Sequence, residues 1–99
     1  MKFYEKVYEL LRKIPKGKVT TYKIIANKLN SNAYRAVGNA CKRNKFLYKI
    51  PCYKVVKSDG SVGEYSKGKR KKILLLRKEG IKISNGKILD FEKVLFKYE

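Results

Sequence analysis

The sequence predicts a mainly α domain with a helix-turn-helix and a small β-hairpin near the C-terminus. Three observations predict it. Apolar residues recur at helical spacing in several separate stretches. A tight polar turn, Asn30-Ser31-Asn32, joins two of those stretches. Near the C-terminus, two short β-prone runs flank Ser84-Asn85-Gly86, a hairpin signal.

Taken in order, Phe3, Val7, Leu10, Leu11 and Ile14 form the apolar stripe of a first helix, stopped by Pro15-Lys16-Gly17. Residues 19–22 are a short β-prone link. Thr20 or Thr21 is placed to cap a second helix carrying Ile24, Ile25 and Leu29. A third helix is predicted over residues 33–43, with Ala33, Ala36, Val37, Ala40 and Cys41 on its inner side. Residues 46–56 read as an apolar, non-helical connection, and residues 57–63 as a glycine-punctuated loop. Ser66 is the expected cap of a fourth helix over residues 69–78, ended by Gly80. Residues 81–83 and 87–89 are the hairpin arms and a candidate wing. Phe91, Val94, Leu95 and Tyr98 predict a short closing helix.

The 99 residues make one small domain, spanning 1–99, with no internal repeat and no low-complexity linker. With 43% hydrophobic residues and 34% charged, the chain should fold around a small core. The 26 Lys and Arg against 8 Asp and Glu give a formal charge of +18. That surplus costs self-repulsion beyond what solubility needs, so a polyanion, nucleic acid first, is the expected partner. No leader segment or membrane-length apolar run is present, and two cysteines suit a reducing cytosol, so a cytoplasmic monomer is expected. With no histidine and only Cys41 and Cys52 as soft ligands, neither a metal nor another cofactor is expected.

Pro51-Cys52, inside an apolar run, is the candidate reactive centre. Proline fixes the backbone before the thiol and removes a donor there. A cysteine in such a run is more often structural than reactive, so its neighbours decide the reading. Those neighbours are Ile14-Pro15-Lys16-Gly17-Lys18-Val19, Thr21-Tyr22-Lys23-Ile24-Ile25-Ala26, Arg35-Ala36-Val37-Gly38, Arg43-Asn44, Pro51-Cys52-Tyr53-Lys54-Val55, Tyr65-Ser66, and Leu75-Leu76 with Glu79-Gly80. In this order and spacing, over about three quarters of the chain, they resemble the C-terminal domain of the O6-alkylguanine-DNA alkyltransferases, the methylated-DNA–protein-cysteine methyltransferases.

The resemblance implies a winged-helix-like DNA-binding domain whose recognition helix enters the minor groove of double-stranded DNA containing alkylated guanine. It implies that the damaged nucleotide is flipped out and that Cys52 takes its alkyl group once, as a stable thioether. Tyr22 matches the tyrosine that crowds the target phosphate, and Arg35 the arginine that fills the gap in the base stack. Further DNA contacts are implied for Ala36, Gly38, Asn39, Lys42 and Arg43. Asn44, Val55, Tyr65 and Ser66 match positions around the flipped base. On sequence alone, Arg35 also fits an ordinary phosphate contact, Gly38 a close helix packing, Tyr65 a surface tyrosine and Ser66 a helix cap.

This chain departs from the family at the centre. Tyr53 and Lys54 stand where the family has histidine and arginine, while Glu79 keeps the glutamate position of the catalytic set. Tyrosine is a poor base near neutrality, with an ordinary pKa of about 10. Lowering a thiol pKa by about two units raises the thiolate fraction roughly 25-fold at neutrality. Roughly eight-fold of that is returned, because nucleophilicity falls with pKa at a β near 0.4–0.5. A slower or differently tuned transfer is therefore expected, not an inert protein. The resemblance also leads to the expectation of an active-site domain without the usual N-terminal domain. Two other readings compete: a non-enzymatic alkyltransferase-like lesion sensor, which typically lacks the acceptor cysteine, and a winged-helix transcription regulator, which has no use for Pro51-Cys52.

Overall fold

The computed structural model describes residues 1–45 and 49–98, so the first three residues of the predicted connection, 46–48, lie outside the described residues. Among the described residues the fold has five α-helices and two small sheets. Helix α1 (Phe3–Arg12) leads to strand β1 (Thr20–Thr21), then α2 (Tyr22–Lys28) and α3 (Tyr34–Arg43). A 3-10 turn (Cys52–Lys54) enters strand β2 (Val55–Val56), followed by α4 (Lys69–Lys78), strands β3 (Ile83–Ser84) and β4 (Lys87–Ile88), and α5 (Phe91–Val94). The mainly α expectation with one C-terminal hairpin holds.

Local chemistry accounts for most boundaries. Thr21 caps α2: its side chain accepts from the Ile24 N–H at 3.0 Å. Helix α2 ends at Leu29, and Asn30 turns left-handed at φ 55°. The Asn30 and Ser31 N–H groups then close back onto the carbonyls of Asn27 and Ala26. Gly80 does the same after α4 at φ 90°, with Gly80 and Ile81 donating to Arg77 and Leu76. The β3–β4 hairpin turns through Asn85 and Gly86, both at positive φ, as a two-residue hairpin of matching twist requires.

Three local expectations are corrected. Gly68, not Ser66, precedes α4, and no side chain caps that helix. Tyr65 and Ser66 remain in the loop, where the Gly68 N–H closes a turn onto the Tyr65 carbonyl. Ala33 is the exposed entry residue of α3, so it leaves the inner face to Val37 and Ala40. The closing helix stops at Val94: Leu95 bridges Val19 in extended form, and the Phe96 N–H donates to the Val19 carbonyl.

The pairing that organises these pieces was not expected. β1 and β2 run parallel, Thr20 opposite Val55 and Thr21 opposite Val56. Successive strand residues face opposite sides. Val55 therefore joins the core of α1, α2 and α3, with Val7, Leu11, Ile25 and Val37. Val56 joins a second core, with Val19, Leu76, Ile81 and Ile88 beneath the hairpin. Replacing the cap in Thr21→Ala should cost about 1 kcal/mol in chemical denaturation, with no change in the slope against denaturant.

Candidate active site

A cavity of about 1000 Å³ opens between α3, the start of α2 and the loop before α4. It is lined by Tyr22, Arg35, Gly38, Lys42, Cys52, Tyr65 and Ser66, which brings together residues spread over 45 positions of sequence (22 to 66). Tyr34, Cys41, Lys57 and Glu64 complete the wall. Of the other expected residues, Ala36, Asn39 and Arg43 lie along α3 outside the lining. The Arg43 guanidinium sits 5.8 Å from the centre of the Tyr4 ring. A Cβ built on Gly38 would meet nothing within 4 Å, so no neighbouring helix requires this glycine. Val55 is fully buried in the core.

Cys52 is only 3% exposed, so whatever it reacts with must enter the cavity. Its position is set by short-range bonds. The Cys52 N–H donates to the Ile50 carbonyl at 2.8 Å, across Pro51, and the Lys54 N–H donates to the Pro51 carbonyl. Asn44, at the end of α3 and buried, donates its amide to the Ile50 carbonyl at 2.7 Å and to Cys52 Sγ at 3.1 Å. Asn44 thus ties α3 to the turn that carries the thiol. The Cys52 pKa is held below the ordinary thiol value. The neighbouring Cys41 thiol is the largest cause; the Asn44 amide and the Lys72 ammonium add to it, while burial opposes it.

Lys72 is the functional residue that sequence reasoning missed. It is 0% exposed, and its Nζ donates to the carbonyls of Val55 at 2.6 Å and Glu64 at 3.0 Å. The same ammonium lies 5.9 Å from the centre of the Tyr22 ring. Burial pulls its pKa down from 10.5 to about 8, which leaves it mostly charged at neutrality. Within the run Lys69-Arg70-Lys71-Lys72, the one available signal was its spacing of four from Leu76, the other buried residue of α4.

A second ionic centre holds the turn in place. Glu79 accepts the Gly17 N–H at 2.9 Å and pairs with the Lys54 ammonium at 3.0 Å through Oε1, and takes the Tyr53 hydroxyl on Oε2. Burial works to raise the Glu79 pKa, yet these three donors hold it below the ordinary value. Lys54 also reaches the carbonyls of Ile14 and Pro15. Among the described residues no hydrogen bond joins Tyr53 to Cys52. The Tyr53 pKa is raised by burial and by the Glu79 carboxylate, so its hydroxyl stays protonated and donating at neutrality.

Two substitutions separate these roles. Lys72→Met should raise the pH at which Cys52 becomes reactive toward iodoacetamide, read by mass spectrometry on the Cys52 peptide. The two proteins should converge above about pH 8, where Lys72 itself loses its proton. Between about pH 8 and 10.5 the unfolded chain holds a proton at this lysine that the folded chain gives up. Its contribution to stability therefore rises with pH in that window, and the rise should vanish in Lys72→Met. Tyr53→Phe should leave the Cys52 midpoint unchanged while lowering stability by about 1.5–3 kcal/mol, the range for a hydrogen bond to a charged group.

Comparison with known proteins agrees with this geometry. Residues 2–81 match the family described as 6-O-methylguanine DNA methyltransferase, DNA binding domain. The chain is 50% identical over 86 residues to a bifunctional methyltransferase/endonuclease of Picrophilus torridus, covering 86% of this chain and 29% of that one. It is 47% identical over 77 residues to a methylated-DNA–protein-cysteine methyltransferase of Saccharolobus solfataricus, covering 78% and 50%. Among solved structures it resembles S. pombe Atl1 in complex with damaged DNA containing O6-carboxymethylguanine. The TM-score there is 0.85 at 31% identity, over 97% of this chain and 95% of that one. The chain thus spans half or less of these two curated relatives and nearly all of the third protein. With the family match running through Pro51-Cys52, Tyr65-Ser66 and Glu79, the chain belongs to the 6-O-methylguanine DNA methyltransferase family, through its DNA-binding domain.

Proposed function

We propose that this protein, acting as a cytoplasmic monomer, repairs O6-alkylguanine in double-stranded DNA by irreversible transfer of the alkyl group to Cys52. One observation carries the reading: a thiol with a lowered pKa stands in the wall of a cavity that Tyr22, Arg35, Tyr65 and Ser66 share. A damaged base inside the stack cannot reach a sulphur that is 3% exposed, so the nucleotide must leave the helix. Tyr22 and Arg35 are suited to that step, one crowding the backbone, the other presenting a planar cation to the vacated stack.

In the transfer, the Cys52 thiolate attacks the alkyl carbon, a C–S bond forms and the C–O6 bond breaks. Guanine leaves with the bonding pair and takes up a proton. No second nucleophile is needed, and the thioether product ends the protein's activity after one turnover. Asn44 fixes the sulphur. Tyr65 and Ser66 border the base, with Val55 behind it in the strand. Ala36, Gly38, Asn39, Lys42 and Arg43 place α3 against the duplex, with the two cations on phosphates. Tyr53 and Glu79 hold the turn that carries the sulphur.

A second reading, a lesion sensor without chemistry, has one observation in its favour: the end-to-end match with Atl1. Cys52 separates the two readings. After incubation with an O6-methylguanine duplex, mass spectrometry should find one methyl on the Cys52 peptide, and none in Cys52→Ser, which should still bind DNA. Tight lesion binding with no adduct would establish the sensor and sink the enzyme. Binding should weaken steeply with salt, as phosphate contacts release counterions.

A further inference from the structure

Lys57 is the cation of the cavity wall that the proposed reaction leaves unused. It follows strand β2 and opens a turn. Its N–H donates to the Ser61 carbonyl at 2.9 Å, and its carbonyl accepts the Gly60 N–H at 3.0 Å. The side chain crosses Gly63: a Cβ built there would lie 3.5 Å from Lys57 Cγ and 3.8 Å from Cε. The Tyr22 hydroxyl lies 3.8 Å from the same point. Lys57 and Tyr22 therefore meet over one glycine. Among the described residues the Lys57 ammonium has no hydrogen bond and no ion pair.

We propose that Lys57 binds the phosphate of the nucleotide that enters the cavity, with the Tyr22 hydroxyl as a second donor to the same group. The inference deepens the proposed function and rests on its reading that a nucleotide leaves the helix. Depth sorts the contacts. Cys52, 3% exposed, lies at the bottom of the cavity, and Lys57 is exposed at its rim. Base and phosphate are joined through one sugar, so a nucleotide whose base reaches the sulphur leaves its phosphate at the rim. An ammonium there holds the backbone in the extruded position and offsets part of the cost of unstacking the base.

The charges around Lys57 call for an anion. Arg35 and Lys42 from α3 stand on the same wall, and Lys72 from α4 is close enough to feel the Lys57 charge. Among the lining residues Glu64 is the one carboxylate, and its charge also acts on Lys72 and Tyr22. Three cations against one carboxylate cost repulsion in the free protein that a phosphate relieves. Burial raises the Tyr22 pKa, so its hydroxyl holds a proton to donate at neutrality. A lysine is a compact point charge with rotatable donors, which suits a phosphate that arrives with the moving backbone.

The test is a cycle between protein and DNA. Binding to duplexes that carry O6-methylguanine is measured in a Cys52→Ser background, so that no transfer intervenes. One duplex is natural; the others carry a neutral methylphosphonate at the phosphate 5′ to the lesion, 3′ to it, or several nucleotides away. Lys57→Met keeps the stem over Gly63 and removes the charge, with folding checked by circular dichroism. It should weaken binding to the natural duplex about threefold to fivefold. The slope of log affinity against log salt should fall by about one. On one of the two duplexes neutralised beside the lesion, Lys57→Met should cost nothing further, while on the distantly neutralised duplex the full loss should return. Lys57→Arg should restore both affinity and slope. A loss equal on every duplex, or an unchanged salt slope, would overturn the proposal. Failure of the wild type to take up methyl, with this coupling present, would instead remove the repair reading and leave the phosphate contact standing.

Discussion

The parallel pairing of Thr20–Thr21 with Val55–Val56 is the constraint on which the rest of the molecule depends. It is only two residues long on each side, yet it separates and joins the two cores, since Val55 faces one and Val56 the other. It also fixes the site. Tyr22 follows β1 directly and Cys52 opens the turn that feeds β2, so one ladder sets the distance between the cavity's tyrosine and its thiol. The Val55 carbonyl then receives Lys72, which anchors α4 to the same strand. The Glu79 bridge to Lys54 and Gly17 works from the far side of the turn and ties the end of α4 to the loop after α1.

Burying a lysine is costly, and replacing a buried charge with an apolar residue of similar size is often neutral or stabilising. This chain buries Lys54 and Lys72 although it has an abundance of surface cations. Lys54 has a carboxylate as counter-ion, so its charge is compensated within the frame. Lys72 has two carbonyls, which accept two of its three protons, and only the more distant charge of Glu64 to offset its own. A buried cation with no ion pair among the described residues, its field reaching a thiol with a lowered pKa, is a cost that packing does not explain. Stabilising an anion at Cys52 does explain it.

The helices, the hairpin and most of the cavity wall were legible because they are written in local patterns: apolar spacing, Thr21 as a cap, Asn85-Gly86 as a turn. The motif order around Cys52 was legible through family resemblance, and the cavity lined by Tyr22, Arg35, Gly38, Lys42, Cys52, Tyr65 and Ser66 follows it. What remained hidden is non-local. A two-residue strand has too few positions to show alternation, and its partner lies 35 positions away (20 to 55). Lys72 looks like its three basic neighbours until its burial is known. Ser66 fits a cap by residue type, but the turn at Gly68 starts the helix beyond its reach.

Replacing histidine by tyrosine at position 53 changes how the thiolate is stabilised more than whether it forms. An imidazole titrates near neutrality, so a relay built on it gains and loses function in that range. Here the sulphur has an amide bonded to it, which does not titrate, and the field of a buried ammonium with a pKa of about 8. Below about pH 8 the amide donates and the ammonium is charged, so acidity limits the site by protonating Cys52 itself. Strong activation would be self-limiting, because a thiolate made too stable is a poorer nucleophile. Modest, fixed stabilisation from more than one direction suits the single alkyl transfer proposed for this sulphur.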